Sequence, residues 1–91
     1  MKIPEIKLSY KQKVIMRVLQ DEFGGEAHGP ELLDLAEDAE IKEFSINQIT
    51  WHLLRLREAG LVESKKNFYK GRLLNEYKIA PVVSFGGVIL K

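Results

Sequence analysis

The side chains with chemistry to offer are cations, amides and one tryptophan, and the charges are segregated along the chain. Residues 1–20 carry five basic groups and one acid, residues 21–43 carry nine acids and one lysine, and residues 44–91 carry eight basic groups and three acids. The formal net charge of +1 therefore conceals two basic blocks and an acidic one, and a polyanion remains a fitting partner. Lys65, Lys66, Lys70 and Arg72 are close in sequence, and cations at that density suit phosphates. Asn47 and Gln48 are amides of the kind that bond bidentately to adenine N6 and N7. Arg55 suits a phosphate or a guanine. Ser45 can cap a helix and contact a phosphate at once. Trp51 can lay its ring edge on a thymine methyl or sugar, pack on a neighbouring hairpin, or meet a partner protein. His52 is either a surface hydrogen bonder or a further contact. Lys11, Lys13 and Arg17 touch flanking phosphates or solvate their helix. Phe68 and Tyr69 fill the core of a hairpin or wedge a groove.

Other chemistries lack their residues. There are no cysteines, which excludes disulfide scaffolds, cysteine zinc fingers and thiol catalysis. The two histidines, His28 and His52, have no metal-ligand spacing. His28 near Glu31 or Asp34 suggests an acid–base pair, yet no nucleophile elbow or phosphate loop completes a site. The expectation is a protein that is not an enzyme and uses no cofactor or metal. The uncharged stretch 79–90 is broken by Pro81 and Gly86-Gly87 and is about half of the ~20 residues that span a bilayer. The first residues have no apolar signal core, so the expectation is a cytoplasmic protein without an export signal.

With 91 residues, of which 45% are hydrophobic and 30% charged, the chain has the size and mix of one globular domain. Residues 1–9 read as an extended arm. Ser9 caps a first helix over residues 10–22, with Tyr10, Val14, Ile15, Val18 and Leu19 on one stripe and Gly24-Gly25 as its stop. Pro30 opens a second helix over residues 30–39, with Glu31 and Asp34 near its positive end. A short linker follows, and its Ile41 and Phe44 should tuck into the core. Ser45 caps a third helix over residues 46–59. At 100° per residue Ile46, Ile49, Leu53 and Leu56 form its buried arc. Asn47, Gln48, Trp51, Leu54, Arg55 and Glu58 form the opposite arc, so a large aromatic sits at the centre of a solvent face. Residues 61–66 and 74–80 read as two strands of a hairpin with a long basic loop over 67–73. Residues 81–91 form an apolar tail that some surface must cover.

Three helices followed by a hairpin, with a short turn between the second and third helices, is an α+β winged helix-turn-helix order. The run from Thr50 through Trp51, His52 and Leu53 to Glu58-Ala59-Gly60-Leu61-Val62 resembles the recognition helix of ArsR-type and PadR-type repressors. Ala27-His28-Gly29-Pro30-Glu31-Leu32 resembles the His-Gly-Tyr-Glu-Leu lead-in to the second helix of the PadR group, with Pro30 in the place of tyrosine. Glu76-Tyr77-Lys78-Ile79-Ala80 resembles the end of their wing. The resemblance spans residues 10–80 and implies a transcriptional regulator that binds double-stranded DNA. The thiolate sensor of the ArsR group is not implied, for want of cysteine.

The expected interface is then Ser45, Asn47, Gln48, Trp51, His52 and Arg55 from the third helix, and Lys65, Lys66, Lys70 and Arg72 from the wing. A homodimer would read two half-sites about one helical turn apart, with the tail and part of the first helix as its seam. The acidic second helix sits awkwardly beside DNA. It favours a second expectation, a winged helix serving as a protein-interaction module in a larger assembly.

Overall fold

The computed structural model describes residues 8–80; residues 1–7 of the expected arm over 1–9, and the expected tail over 81–91, lie outside the described residues. The elements run α1 (Tyr10–Phe23), β1 (Glu26–His28), α2 (Gly29–Leu35), a 3₁₀ turn (Ile41–Glu43), α3 (Ile46–Glu58), β2 (Val62–Tyr69) and β3 (Arg72–Ile79). This is the α+β winged-helix arrangement expected, with one strand more. β1 pairs antiparallel with β3, so the sheet has three strands in the order β1-β3-β2. At three residues β1 is too short to show an alternation pattern in sequence.

Two helices begin with the same device. Ser9 Oγ accepts from the Gln12 amide at 3.2 Å while Gln12 Oε1 accepts from the Ser9 amide at 3.1 Å. Ser45 and Gln48 repeat this at α3, at 3.1 and 3.0 Å. Each reciprocal pair satisfies two amides, one of which would otherwise be left open at a helix start.

The expected second helix was too long. α2 stops at Leu35 because Ala36 is extended, with φ −66° and ψ 141°. The next amides find acceptors outside any helix: Glu22 takes those of Glu37 at 2.6 Å and Asp38 at 3.2 Å. Asp38 in turn accepts from the amides of Glu40 and Ile41. Glu22 of α1 and Asp38 of the linker thus satisfy backbone amides leading into the 3₁₀ turn that carries buried Ile41.

The core joins Val14, Ile15, Met16, Val18 and Leu19 of α1 to Leu32 and Ala36, Ile41, Ile49, Leu53 and Leu56 of α3, and Val62, Tyr77 and Ile79 of the sheet. Each fully buried aliphatic side chain contributes about 1.5–3 kcal/mol of transfer free energy. Phe44 packs against this cluster, as expected, with the Lys11 ammonium 5.5 Å from its ring centre. Two expected core positions fail. Tyr10 is 66% exposed and Ile46 is 40% exposed. Both stand in the first turn of a helix, where the side chain overhangs the end of the packed layer. The Tyr10 hydroxyl instead donates to Glu40.

The expected long hairpin loop is also corrected. β2 and β3 stay paired from Val62↔Ile79 out to Tyr69↔Arg72, leaving a turn of two residues, Lys70 and Gly71. Their φ angles are +51° and +78°, the positive pair that a twisted hairpin of this kind needs. Gly71 holds its angle without steric cost.

Candidate nucleic-acid interface

The amphipathic spacing of α3 decides which of its side chains reach solvent. Ile49, Leu53 and Leu56 are buried, which turns Asn47, Gln48, Trp51 and Arg55 outward. Trp51 is 55% exposed, and the Arg55 guanidinium lies 5.4 Å from its ring centre. Arg55 also approaches Glu58 at 3.7 Å. Trp51 and Arg55 therefore stand as one cationic and aromatic platform, preceded by Asn47 at the start of the helix.

Three members of the set expected from α3 have other engagements. The Ser45 hydroxyl and the Gln48 carbonyl oxygen are both committed to the helix cap, which leaves the Gln48 amide nitrogen outside the cap. The Ser-x-x-Gln spacing carries that role in the sequence. His52 is half-buried and meets Trp51 edge to face at 4.9 Å. Its Nδ1 is buried with no hydrogen-bond partner among the described residues. Burial, and then the charge of Lys11, hold the imidazole below its ordinary range. His52 is thus half-buried beside Trp51, within the influence of Lys11 of α1.

The wing separates the four cations that the sequence places together. Side chains alternate across a strand, so Val62, Ser64, Lys66 and Phe68 share one face with their partners Ile79, Tyr77, Asn75 and Leu73. This face turns toward α3 and the core, since Val62, Tyr77 and Ile79 are buried and Ser64 Oγ accepts from Arg57 of α3 at 3.0 Å. Lys65, Tyr69 and Arg72 lie on the outer face. There Lys65 stands 3.6 Å from Glu26 and 3.8 Å from Glu76. Lys70, in the turn, reaches Asp34 of α2 at 3.1 Å. Among the described residues Lys66 and Arg72 have no ion-pair partner.

A clasp that the sequence does not announce holds the wing to α2. The Tyr69 hydroxyl donates to Asp34 Oδ2 at 2.8 Å, and Lys70 Nζ donates to the same oxygen. These bonds, Tyr69 first and Lys70 second, hold the Asp34 carboxyl below its ordinary range. The Tyr69 ring stacks on His28 at 5.2 Å between centres. His28 is 4% exposed, and its two ring nitrogens face Glu31 at 3.3 Å and the Asn67 carbonyl at 3.2 Å. The expected Glu31 neighbour of His28 is therefore real, but the group braces a wing.

The acids near α2 are likewise engaged. Arg17 bridges Asp38 at 2.9 Å and Glu40 at 3.3 Å. Burial pushes Asp38 up, and the Arg17 bond with the amides of Glu40 and Ile41 outweighs it. Arg17 thus ties α1 to the linker after α2 while remaining exposed. Of the two places expected for Phe68, the hairpin core is the one that fails: the side chain is 67% exposed.

No protein-family profile matches the chain, so the PadR- and ArsR-type resemblance rests on the segments quoted above. No curated protein matches it. A similar solved structure is Stf76 from the Sulfolobus islandicus plasmid-virus pSSVx, at 25% sequence identity and a TM-score of 0.53. The likeness covers 79% of this chain and 82% of that one. Among the described residues no helix is long and apolar enough to cross a membrane.

Proposed function

We propose that this protein is a transcriptional regulator, a repressor, that binds double-stranded DNA sequence-specifically, with α3 in the major groove and the wing on the backbone or minor groove. One observation carries the reading. A winged-helix scaffold presents Asn47, Trp51 and Arg55 outward while the opposite side of α3 is sealed in the core. Asn47 sits where the recognition helix of such folds first meets base edges. Trp51 and Arg55 follow one turn apart along the groove.

The electrostatics support it. Lys66 and Arg72 keep their charge available for phosphates, and Lys65 and Lys70 are already engaged by carboxylates. Arg17 and Lys70 lie against three of the acids that otherwise make the α2 region repel a polyanion. The likeness to a plasmid-virus protein of the same fold is in keeping with it. In this reading the protein acts as a homodimer over two half-sites about 34 Å apart, and has no enzymatic activity and no cofactor.

The test uses the single tryptophan. Duplex DNA is titrated into the protein at ~50 and ~200 mM salt, following Trp51 fluorescence and the anisotropy of labelled DNA. The expected result is quenching with a midpoint that weakens steeply with salt. Lys66→Gln with Arg72→Gln should lower the salt slope by about 2. A second reading, a protein-interaction module, is favoured by Leu35, which is 60% exposed at the end of acidic α2. It takes over if neither signal reports binding at low salt.

A further inference from the structure

The wing tip carries an apolar pair that its own fold does not use. Phe68 and Leu73 face each other across β2 and β3 on the face whose inner end packs toward α3. They are 67% and 54% exposed. The last fully buried side chain on that face is Tyr77, paired with half-buried Ser64. Four residues of strand carry the pair about 13 Å beyond it, out of reach of the core. Two large apolar side chains kept in water at the end of a ribbon call for an occupant.

The surroundings of the pair say which occupant. Residues 66–75 hold Lys66 and Arg72, which have no ion-pair partner among the described residues, and no acid; the carboxylate that reaches the tip, Asp34, is taken up by Tyr69 and Lys70. Lys66 precedes Phe68 by two residues on the same face, and Asn75 follows Leu73 by two. An apolar protein groove would be matched by an apolar rim, whereas cations around an apolar point match a polyanion with a stack to enter. Apolar side chains of this size are the ones that unstack base steps from the minor groove.

The back of the tip is braced as a wedge requires. On the outer face Tyr69, next to Phe68, bonds Asp34 at 2.8 Å and stacks on buried His28. Lys70 adds a second bond to the same carboxylate. The turn itself is of the tight two-residue kind. A ribbon held this way resists being pushed back when a base step is opened.

We propose that Phe68 and Leu73 form a wedge that enters the minor groove beside the α3 site, opens a base step and bends the duplex, so that part of the sequence choice is made by deformability. The proposal rests on the DNA reading above. Flexible pyrimidine–purine steps such as TA would be favoured under the wing.

The test uses a ~25-bp A·T-rich duplex with central TA steps, labelled at its ends with a donor and acceptor dye. It is saturated with the full chain at ~50 mM salt, with saturation read separately by anisotropy. The wild-type chain should raise energy transfer by an amount matching a bend of about 20–90°. Phe68→Ala with Leu73→Ala should bind and leave the duplex straight. Both positions are exposed, so circular dichroism should be unchanged. A separate variant, Phe68→Trp in a Trp51→Phe background, should lose fluorescence on saturation as its indole stacks. If wild type and the double variant bind with equal energy transfer, the wedge is wrong and the DNA reading stands. If anisotropy shows no binding by the wild type, both fall together.

Discussion

The Tyr69 hydroxyl and the Asp34 carboxylate meet at 2.8 Å across 35 residues of chain. This bond ties the outer face of the hairpin tip to α2. It also removes one acid and one lysine from the surface that a polyanion would see, since Lys70 shares the same oxygen. The acidic second helix, which in sequence argues against DNA, is in part a mooring for the wing.

Removing the clasp should loosen the hairpin without unfolding the domain. Tyr69→Phe deletes the hydroxyl and keeps the ring on His28. The expected outcome is faster amide exchange at the outer rungs, residues 66–75, with exchange at the core of α1 unchanged. Equal protection of the wing in both proteins would mean that the bond contributes nothing to its order.

The clasp should have a definite pH window. Asp34 titrates below its ordinary range, because of Tyr69 and then Lys70. A lowered carboxylate contributes stability above its unfolded value, near 4, and loses it as pH falls through the folded value. The Tyr69 hydroxyl is held above its ordinary range by burial and then by Asp34, and Lys70 is raised by Asp34. Raised groups contribute fully below their unfolded values and lose the contribution as pH rises through the folded ones. The wing should therefore stay moored between about pH 4 and 10. Carbon chemical shifts of the Asp34 carboxyl, followed through acid, give the lower limit, and Asp34→Asn should abolish the transition.

His52 should make acid destabilising for a different reason. Burial and Lys11 favour its neutral form. That contribution is present above the unfolded value near 6.5 and fades as pH drops through the lowered folded one. Lys11→Gln should raise the His52 midpoint in an NMR titration. An unchanged midpoint would leave burial as the whole cause.

Asn47 and Gln48 are neighbours with different duties, and alanine should separate them. Gln48→Ala removes an acceptor from the Ser45 amide and should cost about 0.5–1.5 kcal/mol of stability. Asn47→Ala breaks no hydrogen bond in the described structure and should leave the melting curve in place. Its loss should appear instead as about 1–3 kcal/mol of lost discrimination at one base pair, measured by binding to a set of substituted duplexes.

Gly29 should accept alanine although it is buried. A β-carbon there would meet Ile46 and Leu53 at 3.8 Å and Ile49 at 3.9 Å, which is ordinary contact. Gly29→Ala should be neutral or stabilise by about 0.4–1 kcal/mol through the unfolded chain. Thermal melts decide it, and a marked fall would show that the lead-in to α2 has no slack against α3.

The order of elements was legible because it depends on local rules. Ser9 and Ser45 start helices, Gly24 and Gly60 follow their ends, and the spacing of Ile49, Leu53 and Leu56 buries one side of α3 and exposes Trp51. Such signals act within a few residues of where they are written. The end of α2 escaped because its amides are satisfied by Glu22, 15 and 16 residues earlier in the chain. β1 escaped because three residues acquire strand character only by lying beside Lys78, Tyr77 and Glu76.

The candidate surface divides the same way. That Asn47, Trp51 and Arg55 point outward follows from helical periodicity, so the sequence by itself determined it. The fate of the wing cations does not follow from their spacing. Pleating sends Lys65 and Lys66 to opposite faces, and pairing with Glu26, Glu76 and Asp34 engages Lys65 and Lys70 but not Lys66 or Arg72. The exposure of Phe68, the burial of His28 and the engagement of Asp34 were likewise settled only when distant segments met. Hydrogen bonds and ion pairs act over a few ångströms, and sequence separation says nothing of which groups the fold brings within that distance.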